Sequence, residues 1–123
     1  MLHHASLAVT HLKQSGALYD AALGALGYRR VAEAPGFAGY GLEDGHDKFA
    51  LIEIASAASS GQGSHLAFAA PSRDAVDAFH REAVLHGAAD NGGPALRPHY
   101  GPDYYAAFVI DPDGHHIEAV HKP

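Results

Sequence analysis

Eleven histidines in a chain of 123 residues without cysteine leave imidazole nitrogen and carboxylate oxygen as the side-chain donors for any metal ion. Four residues stand out by position. His4 heads the run His4-Ala-Ser-Leu-Ala-Val and His65 heads His65-Leu-Ala-Phe-Ala-Ala; Glu53 sits between Ile52 and Ile54, and Glu118 between Ile117 and Ala119. Two imidazoles and one carboxylate on one side of a divalent ion leave open positions for substrate or water. Iron(II) sites of this kind are known, and manganese, nickel, cobalt or zinc would also fit. The expected ligands are therefore His4, His65 and Glu118. Glu53 is an added carboxylate expected to face the site but to ligate weakly or not at all, free to move a proton. An isolated strand histidine is ordinarily a surface or core residue. Here the repetition carries the argument, because both histidines open a strand and both glutamates sit in an apolar closing strand.

Positioning these groups requires a repeated framework. Residues 3–9 alternate as a strand, and a helix follows to Gly27, with Leu12, Leu18, Tyr19, Ala22, Leu23 and Leu26 near one face. Short strands are expected at about 28–33, 37–42 and 48–55, parted by Pro35-Gly36 and Glu43-Asp44-Gly45. The small, polar stretch 56–64 reads as a connector. The order then begins again. There is a strand from His65, a helix capped by Ser72 and stopped by Gly87, a weak strand near 88–91, and strands near 104–110 and 115–121. The reading is α+β: a single domain over 1–123 made of two βαβββ modules, about 1–57 and 64–123, forming a curved mixed sheet around a metal-binding cleft. Strand alternation should turn Glu118 and Glu53 toward that cleft, since their apolar neighbours belong against a helix.

Between the second module's strands lies the loop Asn91-Gly-Gly-Pro-Ala-Leu-Arg-Pro-His-Tyr-Gly-Pro-Asp, followed by Tyr104 and Tyr105. Long loops are often binding elements. Arg97, His99, Tyr100 and Tyr104 offer a cation, an acid–base group and aromatic walls to a small oxygenated ligand. His116, on the strand face of Glu118, is the most promising of the remaining histidines. A net charge of -6 with eight scattered Lys and Arg gives no footprint for nucleic acid. No apolar run reaches the roughly 18 residues of a membrane span, and the start MLHHASLAVT lacks a secretory pattern, so a cytoplasmic location is expected.

The H-x-S-L-A-V run at 4–9, the module-opening His65 and Asp111-Pro-Asp-Gly-x-x-Ile-Glu118 resemble the vicinal-oxygen-chelate superfamily across the chain. That superfamily includes glyoxalase I, extradiol dioxygenases, fosfomycin-resistance enzymes and bleomycin-resistance proteins. The resemblance implies a metal in the cleft and a homodimer. Similarity to glyoxalase I covers all four ligand positions, but Ala8 and Ala57 stand where that family grips glutathione. Similarity to extradiol dioxygenases places His99 near one of their metal-flanking histidines and puts Phe108 where they have tyrosine. Similarity to fosfomycin transferases sets Ser6 where a threonine contacts substrate, yet no arginine follows Glu118. The expected site thus has His4, His65 and Glu118 on the metal. Glu53, His99 and Tyr104 are expected in catalysis, and Ser6, Arg97, Tyr100 and Phe108 around the substrate. The function expected is a metal-dependent lyase, isomerase or dioxygenase acting on a small oxygen-chelating substrate. The alternative is a non-catalytic binder of small molecules or antibiotics, like the bleomycin-resistance proteins.

Overall fold

The computed structural model describes residues 1–56 and 63–123; most of the expected connector, with Ala57, lies outside the described residues. The first half runs β1 (Ala5–Val9), α1 (Leu12–Gly24), β2 (Arg29–Ala34), β3 (Phe37–Gly41) and β4 (Phe49–Glu53). The second runs β5 (Leu66–Ala69), α2 (Arg73–Leu85), β6 (Ala89–Asp90), β7 (Ala95–Leu96), β8 (Tyr105–Ile110) and β9 (His116–His121). The two-residue β7 was not expected; it pairs with β8 and pins the long loop at its middle.

Each half makes its own mixed sheet, ordered β1-β4-β3-β2 in the first and β5-β9-β8-β6 in the second. In both, the opening strand lies parallel to the closing one, β1 on β4 and β5 on β9. The helices pack on each other, α1 against its own sheet and α2 against β8 and β9. One apolar core spans both halves, with Leu18, Tyr19 and Leu23 of α1, Val76 and Phe79 of α2, Leu51 of β4 and Ile117 of β9 all at or below 2% exposure. Removing a buried ring such as Phe79 costs about 3–5 kcal/mol.

Local chemistry fixes the helix ends. Ser72 is extended and its Oγ accepts a hydrogen bond from Ala75 N at 3.1 Å, closing the start of α2. At α1 the N-cap residue His11 makes no side-chain cap bond and the first turn holds no acidic residue. The missing acceptor comes from β4, where Glu53 Oε2 takes the Leu12 N–H at 2.7 Å.

A cluster of polar bonds ties the halves together at the turn before β9. Asp111, 4% exposed, accepts from Asp113 N and His115 N on Oδ1 and from the Tyr19 hydroxyl on Oδ2 at 2.7 Å. Asp113 accepts from the Thr10 hydroxyl at 2.8 Å, and His115 Nε2 lies 2.7 Å from the Ala8 carbonyl. Gly114 takes φ 87°, a left-handed conformation that other residues rarely adopt. Burial, together with the Asp111 carboxylate, holds the Tyr19 phenol well above its ordinary pKa. No helix among the described residues is long and apolar enough to cross a membrane.

Candidate functional site

Glu118 and His65 meet. In β9, Ile117 and Ala119 are buried in the core, so alternation sends Glu118 to the face of the second sheet that the helices leave uncovered. There it is the register partner of both Ala67 and Phe108. His65 stands immediately before β5, whose Leu66 and Phe68 pack on the core. Its Nε2 lies 3.2 Å from Glu118 Oε1, with the histidine side chain 51% exposed and the glutamate 2%. The other carboxylate oxygen, Oε2, accepts from the Tyr104 hydroxyl at 2.5 Å. Burial first, and the Glu118 carboxylate next, push the Tyr104 phenol up to about 12.

A cavity of about 380 Å³ opens beside this cluster, lined by Gly63, Ser64, His65, Asn91, Tyr100, Tyr104, Phe108, His116, Ile117 and Glu118. Its walls are aromatic on one side, the Tyr100 and Tyr104 rings standing 5.3 Å apart. Of the expected substrate residues, Tyr100 and Phe108 are in the lining, and so is Tyr104; His116 and Asn91 join them. Asn91 had no sequence signal beyond its place in a Gly-rich loop. The Tyr104–Glu118 bond was likewise invisible, because it links a loop end to a strand 14 residues later.

The remaining expected residues lie elsewhere. His99 stacks on Tyr100, with ring centroids 4.1 Å apart, outside the lining. Arg97 stands behind Phe108, its guanidinium carbon 5.2 Å from the ring centroid and its Nη2 donating to the Gly93 carbonyl at 2.6 Å. Ser6 is exposed on β1 in the other sheet. His4, at the head of that strand, is exposed and has Nδ1 2.9 Å from Nδ1 of His3. Among the described residues no three His, Asp or Glu side chains are gathered so as to hold a metal ion. One chain therefore joins His65 with Glu118 and does not bring His4 to them.

Glu53 faces the opposite way from its expected orientation. It is the register partner of Val9 and shares its strand face with Leu51 and Phe49, all three of them core residues. Ile52 and Ile54, expected on the helix, are 41% and 40% exposed. The register shows why. His4 and His65 each precede their strand by one residue, so Ser6 corresponds to Ala67. The partner of Ala67 is Glu118, and the partner of Ser6 is Ala50. Ala50 occupies the place of Glu118 in the first module, and Glu53 lies three residues further on, an odd number that reverses the face.

The donor set suits a divalent ion: an imidazole nitrogen beside a buried carboxylate oxygen, with open cavity in front.

Solved structures of similar shape cover nearly all of the chain. A glyoxalase/bleomycin resistance protein from Albidiferax ferrireducens T118 shares 32% identity over 100% of this chain and 99% of its own, with a TM-score of 0.85. A glyoxalase from Bacillus halodurans, named as putative, shares 28% over 99% and 96%, with a TM-score of 0.71. The fosfomycin resistance protein FosX from Mesorhizobium loti shares the fold, with a TM-score of 0.71 at 17% identity over 100% and 92%. No curated protein matches the chain in sequence. A family model matches residues 1–119, and on that match the chain belongs to the Glyoxalase/Bleomycin resistance protein/Dioxygenase superfamily.

Proposed function

We propose that this protein is a metal-dependent enzyme acting on a small substrate with two neighbouring oxygens, and that it works as a homodimer. His65 and Glu118 of one chain and His4 of a second copy hold the ion. The observation that supports this reading is the 3.2 Å approach of His65 Nε2 to Glu118 Oε1 at the wall of a 380 Å³ cavity. His4 heads the equivalent strand of the other module, exposed and apart from them, which suits donation to another chain's site. The bound ion would supply Lewis acidity toward a substrate oxygen.

The chain's own side chains do the rest. Tyr100, Tyr104 and Phe108 exclude water from one side of the substrate and give it a flat wall. Asn91 and His116, in the same lining, offer hydrogen bonds to the substrate. His99 and Arg97 stand outside the lining, against Tyr100 and Phe108, where they steady the wall. The three-ligand set favours chemistry at open coordination positions over a four-ligand isomerase, because Ala50 fills the fourth ligand's register position.

Purified protein should retain about one divalent ion per chain by elemental analysis, lose it in His65→Ala, and lose turnover of vicinal oxygen substrates on chelator treatment. A second reading, ligand sequestration without turnover, finds support in the aromatic lining. It predicts ligand affinity indifferent to chelator.

A further inference from the structure

We propose that Tyr104 is a positioning residue that keeps Glu118 a one-oxygen ligand, so that a coordination position stays free for the second oxygen of a chelating substrate. The inference rests on the metal reading above and adds to it a role for the loop that carries Tyr104. A carboxylate can hold a metal through one oxygen or both. In Glu118 the two oxygens are already distinguished. Oε1 points to His65 Nε2, the other metal donor on this chain, while Oε2 is engaged by the Tyr104 hydroxyl at 2.5 Å. A hydrogen bond to a carboxylate is stronger than one between neutral groups, and partners of this kind orient metal-binding side chains.

The hydroxyl is itself held in place. Tyr104 stands at the root of β8, where its carbonyl accepts from Arg97 N at 2.7 Å and its ring packs 5.3 Å from that of Tyr100. Glu118 is 2% exposed, which limits solvent access to Oε2. Sequence spacing gives no hint of the pair, and Phe108, directly across from Glu118, cannot substitute because it has no hydroxyl.

The test compares Tyr104→Phe with the wild type and with Tyr28→Phe, a tyrosine outside the cavity, using Mn(II) alone as the probe. Water-proton relaxation reports how many metal positions water occupies. Two histidines and a one-oxygen carboxylate on a six-coordinate ion leave three positions, and a second glutamate oxygen leaves two. Relaxation enhancement by bound Mn(II) should therefore fall by about one third in Tyr104→Phe. It should stay unchanged in Tyr28→Phe, with both variants melting near the wild type. Enhancement in Tyr104→Phe equal to the wild type overturns the positioning role while leaving the metal site standing. Absence of bound Mn(II) in the wild type, or its retention in His65→Ala, overturns the metal reading and this inference with it.

Discussion

The two modules share one plan and differ at the closing strand. In the second, a four-residue Asp-Pro-Asp-Gly turn leads into β9 after one further residue, and Asp111 fixes that turn with two backbone N–H groups and the Tyr19 hydroxyl. In the first, the turn at Glu43-Asp44-Gly45 is held from outside, by Gly45 N donating to the Val31 carbonyl and by the exposed Arg29–Asp44 ion pair, with an isolated bridge from Glu43 to His46, and β4 begins later, at Phe49. The pairing register puts Ala50 in the place of Glu118 and leaves Glu53 three residues further on, on the opposite face. Glu118 becomes a buried carboxylate over a cavity, and Glu53 becomes the acceptor at the start of a helix. Flanking residues of the same apolar type thus surround two different functions, and the pairing register decides which.

The comparison breaks most visibly at the metal. Glu118→Gln should weaken Mn(II) or Co(II) binding by more than about a hundredfold, whereas Glu53→Gln should change it by less than about twofold. Similar losses from both, in a metal titration, would return Glu53 to the site. Next in size is the turn itself. Asp111→Asn weakens one charged acceptor serving two N–H groups and leaves the Tyr19 hydroxyl with a poorer partner. Urea unfolding should show a loss of about 2–3 kcal/mol.

An alkaline titration sharpens the contrast between the shared core and the surface. Burial foremost, with Asp111 on Tyr19 and Asp20 on Tyr40, raises both phenols in the folded protein. Unfolded tyrosine ionises near 10. Above that pH the folded chain holds protons that the unfolded chain has released, so this stabilisation is complete below pH 10 and declines as pH rises. Phenolate absorbance should appear at higher pH in native protein than in urea. The smallest effect belongs to Glu53→Gln, which removes a negative charge from the N-terminus of α1. It should lower stability by about 0.3–1 kcal/mol, with salt reducing the difference.

Much of this architecture was legible in the residues. The helix stops at Gly27 and Gly87 hold, both at positive φ, because a left-handed glycine is a local requirement. The cap at Ser72 and the face of Glu118 follow from equally local rules. The orientation of Glu53 was not legible, because period two preserves a pattern of apolar neighbours under any slip and only the pairing register separates the faces. Nor was the separation of His4 from His65 and Glu118 within one chain, which depends on how the modules dock. The Tyr104 contact escaped because a loop end was placed by β7, a two-residue pairing too short for periodicity to reveal.

The bonds from Thr10 to Asp113 and from His115 to Ala8 join points 103 and 107 residues apart. Such long closures are completed slowly, after the local hairpins and helices have formed. The turn that leads into the strand of Glu118 is therefore locked only when Asp113 and His115 have met Thr10 and Ala8. Metal uptake in a refolding experiment should report the end of folding, trailing the recovery of helix.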